Sequence, residues 1–274
     1  MRNPVRTFVA MGYTLITGAS KGIGADWAVR AAQAGQELTL VVRKAPDAQT
    51  TLDRVRAVRP DAQPLVLEAD LAHLDQVEAL LAQLDRLTQT GRVHDRLVNN
   101  AGFGDYALLT DARPDVLRTM LEVNIQALVR ISHWAVQNLP SGGRLANVAS
   151  TAAFQAGPGM AAYYASKAFV LSFSEALAAE VKPKGLSVTI VCPGPTKTSF
   201  FDRAGLEKSH LVSQGLMPLM HSHTVAEVAF AKTESRALYA IPGFMNRLGT
   251  YMPSLVGRRG AAALVGWLQR AKRS

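Results

Sequence analysis

The sequence predicts an α/β fold: a doubly wound, mainly parallel seven-stranded sheet flanked by helices in a single domain. Three observations carry that expectation. Seven short apolar runs fall at 13–17, 38–42, 64–67, 96–98, 144–148, 187–191 and 237–241. They lack the polar alternation of half-exposed strands, as strands covered on both faces do. Six helix-like segments, 23–34, 49–58, 74–87, 114–138, 161–181 and 224–234, alternate with them, which is the order of a sheet wound on both sides. The first run also leads through a glycine-rich turn into a helical pattern. No repeat or low-complexity linker interrupts the alternation, and 274 residues suffice for one such domain but not two ordinary ones. The domain is placed at 11–243, with 244–274 as a basic helical extension.

Each element then has its reason. The first strand runs into Thr17-Gly18-Ala19-Ser20-Lys21-Gly22-Ile23-Gly24. Strand, glycine turn and helix in that order suit a dinucleotide pyrophosphate, because glycines let the backbone approach and a helix N-terminus offers free N–H groups. The glycine spacing differs from the G-x-G-x-x-G fingerprint. The second strand ends Val42-Arg43-Lys44 without an acidic residue. An acid there would bind both ribose hydroxyls of NAD, whereas cations favour a 2′-phosphate. With Lys21 in the loop, Arg43 and Lys44 predict NADPH over NADH. The fifth strand ends just before Ser150, whose hydroxyl can project beyond the sheet or cap the next helix. After the sixth strand, 193–223 loses regular patterning, and a loop that long is expected to act as a substrate lid. Its Phe200, Phe201, Leu206, Leu211, Leu216, Met217, Leu219 and Met220 suit a hydrophobic substrate.

The long helix at 161–181 carries the chemistry. Tyr163 and Lys167 are four apart and share a helix face. An adjacent cation favours the phenolate, so the Tyr163 pKa is expected to fall toward neutrality and make a usable acid/base. Tyr164, three residues before Lys167, also reaches it, and helix geometry does not separate the two tyrosines.

Composition bounds the remainder. With 48% hydrophobic and 19% charged residues the chain can bury a sizeable core. No apolar run reaches the roughly 18 residues of a membrane span. Residues 1–10 carry Arg2 and Arg6 but no apolar leader core, and Met11 is an alternative start. The single cysteine, Cys192, leaves no internal disulfide and fits a reducing cytoplasm; it is expected as a small buried residue. The net charge of +9 is assigned to solvation and a phosphate-rich cofactor, since no nucleic-acid motif accompanies it. His221 and His223 lack partners at ligand spacing, so no metal is expected.

In this order, Thr17-Gly18-Ala19-Ser20-Lys21-Gly22-Ile23-Gly24, Asp70-Leu71, Asn99-Asn100-Ala101-Gly102, Asn124, Ser150, Tyr163 with Lys167, and Pro193-Gly194 resemble the motifs of the single-domain short-chain dehydrogenase/reductases, over roughly 12–243. The resemblance implies a Rossmann-like fold and an oxidoreductase that passes hydride between NADP(H) and a carbonyl carbon, without metal. It selects Tyr163 over Tyr164 by the thirteen-residue interval from Ser150. It makes Ser150 the polariser of the carbonyl, Tyr163 the acid/base, Lys167 its activator and a ribose ligand, and Asn124 the holder of a relay water. Gly18, Ser20, Lys21, Gly22, Ile23, Gly24, Arg43, Lys44, Asp70, Leu71, Asn100, Ala101, Gly102, Pro193, Gly194, Thr196 and Thr198 are the implied cofactor ligands. Lys197 stands where the family often has an acidic or small polar residue. Similar proteins act on ketones, steroids or 3-oxoacyl-[acyl-carrier-protein], and some only sense NADPH. They are commonly homodimers or homotetramers. The extension beyond 243 is expected to pack on the substrate mouth or a neighbouring subunit with a solvated basic end, in preference to lying on a membrane.

Overall fold

The computed structural model describes residues 12–198 and 219–269. The strands are β1 (Tyr13–Thr17), β2 (Glu37–Val42), β3 (Leu65–Glu68), β4 (His94–Asn99), β5 (Arg144–Val148), β6 (Ser187–Val191), β7 (Thr196–Lys197), β8 (Met220–His221) and β9 (Tyr239–Ala240). The helices are α1 (Gly22–Gln33), α2 (Gln49–Val58), α3 (Leu74–Gln89), α4 (Pro114–Leu121), α5 (Leu128–Asn138), α6 (Ala161–Val181), α7 (Ser222–Glu234), α8 (Phe244–Gly249) and α9 (Met252–Gln269). A seven-stranded sheet has the order β3-β2-β1-β4-β5-β6-β9, parallel throughout. The expected Rossmann-like, doubly wound architecture is the one observed.

Successive strand residues feed opposite faces, because side chains alternate across a strand. On β1, Ile16 joins Trp27, Ala28, Leu40 and Phe230 on one side, while its neighbour Leu15 joins Val41, Leu84, Leu97 and Trp134 on the other. Both faces are therefore dry, which is why the strand segments read as continuous apolar runs. Burying each such side chain contributes about 1.5–3 kcal/mol. The strand order reverses at β1, with β2 and β4 on its two sides. Ligands of open α/β sheets bind beyond the strand ends at such a point.

The central strands are also pinned by a buried polar network. Asn99 Nδ2 donates to Ser132 Oγ and Asn147 Oδ1, both at 3.0 Å, and Asn147 Nδ2 donates to Ser174 Oγ at 2.9 Å. These bonds tie β4 and β5 to α5 and α6 near the end of the sheet that carries Ser150.

Four local expectations are revised. The helix expected over 114–138 is split by a π-helical turn, Glu122–Ala127, centred on Asn124. The last strand is two residues long, paired through Ile190↔Tyr239 and Val191↔Ala240. Within the stretch 193–223, expected to be irregular, β7 and β8 pair in parallel and α7 begins at Ser222. Residues 199–218, which include most of the expected lid, lie outside the described residues. The extension folds as α8 and α9, and α9 is broken at Gly257, whose φ of +73° is not helical.

Candidate active site

The C-terminal ends of β1, β2, β4, β5 and β6 open into a cavity of about 400 Å³. The glycine loop forms one wall. Thr17 Oγ1 accepts the backbone N–H groups of Asn100 and Ala101 at 3.0 and 3.1 Å, and Asn100 Nδ2 donates to the carbonyls of Thr17 and Gly18. The loop after β4 therefore holds the loop after β1. Gly18 adopts φ +65°, and a Cβ there would meet Ala101 Cα at 2.9 Å. Gly22, at φ +60°, opens α1 toward the cavity, with Thr198 against its open side.

Of the implied cofactor ligands, Gly18, Ser20, Lys21, Gly22, Ile23, Arg43, Asp70, Leu71, Asn100, Ala101, Gly102, Pro193, Gly194, Thr196 and Thr198 line the cavity. Gly24 and Lys44 do not. Gly24 lies behind the loop, where a Cβ would meet Asn100 Nδ2 and the Gly18 carbonyl at 2.5 Å; it allows α1 to seat against the loop. Lys44 points into solvent beyond β2. Lys21 and Arg43 are exposed and form no ion pair among the described residues, which leaves both cations available to an anion. Asp70 Oδ1 accepts Ala72 N at 3.1 Å and so shapes the turn after β3. A cavity floored by free helix N–H groups, rimmed by two unpaired cations and walled by glycines fits a dinucleotide phosphate.

Ser150, Tyr163 and Lys167 converge deeper in the same cavity. Ser150 serves in two ways. It caps the short 3-10 turn Thr151–Phe154, accepting Ala152 N at 3.1 Å, and its hydroxyl hydrogen-bonds the Tyr163 phenol. Tyr164 is wall: its ring covers Gly157, where a Cβ would fall 2.4 Å from Cε2, and stands edge-on to Tyr163 at 6.1 Å.

The expected fall of the Tyr163 pKa does not occur. Tyr163 is 8% exposed, and burial pushes its phenol up to about 12, with the Ser150 hydrogen bond pulling the other way. Burial likewise lowers Lys167 to about 8. The reason is geometric as well as dielectric. Lys167 Nζ donates to the Val148 carbonyl at 2.8 Å and lies 6.0 Å from the Tyr163 ring centroid, so the cation is aimed at β5. Desolvation of the phenolate outweighs an attraction at that distance.

Asn124 is 1% exposed and does not line the cavity. Its Oδ1 accepts Phe103 N at 3.1 Å, and its Nδ2 donates to Phe103 O at 2.9 Å and Ser166 Oγ at 3.1 Å. A Cβ on Gly102 would meet Asn124 Oδ1 at 3.0 Å and Lys167 Nζ at 3.3 Å. Asn124 thus clamps the loop after β4 onto α6, directly behind Lys167, and is a positioning residue in this geometry. Cys192 is fully buried, and burial pushes its thiol up to about 12, as befits a packing residue. His221 and His223 have ring centroids 5.6 Å apart. Lys197 is exposed on β7.

Sequence reasoning missed much of the outer wall: Phe103, Val123, Gln155, Met160 and Val265. Val265 comes from α9 and is 4% exposed, and Gly266 packs on Pro158, so the extension does cover the mouth. Asn246 of α8 is buried against Gly194, where a Cβ would fall 2.2 Å from its Oδ1. The apolar run at 260–268 was the available signal for the first contact; nothing local marks the second.

The family model described as short chain dehydrogenase matches residues 13–208. The 11-beta-hydroxysteroid dehydrogenase-like 4A of Arabidopsis thaliana is 35% identical over 188 residues, 66% of this chain and 59% of the relative. The chain therefore spans less than two thirds of that protein. The 3-oxoacyl-[acyl-carrier-protein] reductase of Synechocystis sp. is 30% identical over 70% of this chain and 77% of its own length. Among solved structures, a short-chain dehydrogenase from Sphingobium yanoikuyae in complex with NADPH superposes with a TM-score of 0.75 at 31% identity, covering 96% of this chain and all of that one. A Burkholderia phymatum enzyme in complex with NAD gives 0.77 at 20% identity, over 89% and 93% of the two chains, a likeness of fold alone. With the family match spanning most of the chain and most of its motif residues lining one cavity, this protein belongs to the short-chain dehydrogenase/reductase family.

Proposed function

We propose that the chain is an NADP(H)-dependent oxidoreductase that reduces a hydrophobic ketone or aldehyde, or oxidises the corresponding alcohol. The observation that carries this reading is the Ser150–Tyr163 hydrogen bond at the floor of a cavity whose rim bears the glycine loop, Lys21 and Arg43. NADPH, when bound, would supply the hydride for the carbonyl carbon. Ser150 and Tyr163 would hold the carbonyl oxygen by hydrogen bonds and polarise it for that attack, and Tyr163 would deliver its proton as the alkoxide develops. A phenol held near 12 is protonated at neutral pH, the state that reduction needs. Lys167, behind Tyr163, favours the phenolate left after proton transfer. Arg43 at the end of β2 supports selection of the 2′-phosphate, since Arg engages phosphate bidentately.

Phe103, Val123, Met160, Tyr164 and Val265 make the outer cavity apolar. Gln155 lies among them, and its Oε1 is buried with no partner among the described residues. That acceptor favours a hydrophobic substrate carrying a hydroxyl or N–H away from its reacting carbonyl. A second reading, reduction of 3-oxoacyl thioesters, is favoured by the Synechocystis relative. Turnover of a panel of ketones, hydroxyketones and acetoacetyl thioesters with NADPH and with NADH tests both. Preference for bulky hydroxyketones with NADPH supports the first reading, preference for thioesters supports the second, and equal use of NADH removes the role given to Arg43. We place the protein in the cytoplasm as a homo-oligomer, in keeping with the single cysteine and the family. No helix of the described residues is long and apolar enough to cross a membrane.

A further inference from the structure

The fold leaves one surface that the cavity does not explain. Between Phe244 and Val256, six large apolar side chains are 51% to 80% exposed: Phe244, Met245, Leu248, Tyr251, Leu255 and Val256. Helical hydrogen bonds continue through the junction of α8 and α9, from Thr250 N to Asn246 O and from Tyr251 N to Leu248 O. Positions 244, 248, 251 and 255 are spaced four, three and four apart, which places them along one face. Gly257 then breaks α9, so that every residue from 254 to 260 is exposed, while Ala261 and Val265 beyond the break are buried on the body of the domain.

Charge accompanies this apolar face. From 244 to 274 the sequence has six basic residues, Arg247, Arg258, Arg259, Arg270, Lys272 and Arg273, and no acidic one; the whole chain has a net charge of +9. About a ninth of the length thus holds two thirds of the net charge (6 of 9). Arg247, Arg258 and Arg259 are exposed and form no ion pair among the described residues. Scattered surface hydrophobics need no explanation, but a contiguous group rimmed by unpaired cations does.

We propose that the segment from Phe244 to Arg259 docks this enzyme on a bilayer surface that contains anionic lipids, with the apolar side chains in the interface and the arginines at the headgroups. The charge selects this occupant over the others. A second copy would bring the same cations against themselves, and a nucleic acid would leave the six apolar side chains in water. The extension assigned above to solvent at its basic end is then a lipid-facing element, and the same α9 that carries the outer arginines lines the cavity through Val265. The docking stands independently of the reductase reading.

Cosedimentation of the full chain with vesicles tests it, using phosphatidylcholine alone and phosphatidylcholine containing a minority of phosphatidylglycerol, at low and high salt. We expect binding to the anionic vesicles, loss of that binding at high salt, and little binding to the neutral ones. Arg258→Glu with Arg259→Glu should weaken binding on the order of tenfold or more, because each basic residue near an anionic surface contributes measurably. Phe244→Ser with Leu255→Ser should abolish it, while both double variants keep the melting temperature of the parent. Should the apolar variant fail to fold, the arginine variant decides alone. Absence of binding to anionic vesicles at low salt, or equal binding to both vesicle types at both salts, overturns the proposal. Self-association that the serine variant abolishes, without vesicle binding, overturns it in favour of a second copy.

Discussion

Replacing Lys167 by Met separates what this side chain does for stability from what it does for chemistry. In the folded protein burial lowers its pKa from 10.5 to about 8, a shift equivalent to about 3 kcal/mol. Between those two pH values the unfolded chain binds the proton and the folded chain does not. Folding stability is therefore lost as the pH falls from about 10.5 to about 8, and the whole cost is present at neutral pH. Methionine carries no such cost. It does forfeit the hydrogen bond from Nζ to the Val148 carbonyl, and an unpaired buried carbonyl costs about 1–3 kcal/mol. The two effects leave Lys167→Met between unchanged and about 2 kcal/mol more stable at pH 7, although catalysis collapses. The sharper readout is the difference between the two proteins in urea unfolding at pH 7 and at pH 10.5. The parent should gain about 3 kcal/mol on the variant over that interval. Cys192 and Tyr239, both raised to about 12, weaken folding at high pH in both proteins and largely cancel in the difference. Parallel pH profiles, or a variant several kcal/mol less stable at pH 7, would refute the reasoning.

Further outcomes follow from the same geometry. Arg43→Ala should raise the dissociation constant for NADPH by about ten- to a hundredfold, the worth of a charge-assisted contact of about 1.5–3 kcal/mol, and leave NADH binding unchanged in a fluorescence titration. Gly194→Ala forces a Cβ into Asn246 and should cost about 1–3 kcal/mol in thermal unfolding, with partial recovery in the double variant Gly194→Ala/Asn246→Ala. Asn147→Ala strands the Asn99 and Ser174 partners and should destabilise by about 1–3 kcal/mol without altering the KM for NADPH. Gln155→Leu should improve kcat/KM for ketones lacking a second polar group relative to hydroxyketones, measured side by side.

The strands and the glycine-loop wall of the cavity were legible because each rests on local pattern. Leu15 and Ile16 announce a strand dry on both faces, and Gly18 and Gly22 stand where the backbone takes positive φ. Tyr163 could be told from Tyr164 only through the resemblance, and the structure supplies the physical difference: one ring meets Ser150, the other covers Gly157. The π-helical turn at Asn124 was hidden because its cause is tertiary, a clamp on Phe103 and Ser166, while 114–138 by itself reads as one helix. The lysine's aim was hidden for a related reason. Spacing four places Lys167 beside Tyr163, but the β5 carbonyl that captures its Nζ belongs to another element. The same holds for Val265 and Asn246, whose contacts depend on how the extension folds back after Gly243.

The central claim is that Tyr163 is the proton donor of an NADPH-dependent carbonyl reduction. Its most direct test is NADPH oxidation and alcohol formation on the best ketone found in the panel, with Tyr163→Phe measured beside the parent and NADPH binding followed in both. The expected result is one alcohol formed per NADPH consumed by the parent, with kcat reduced by about a hundredfold or more in the variant and NADPH binding retained. A Tyr163→Phe enzyme that turns over as fast as the parent would contradict the assignment.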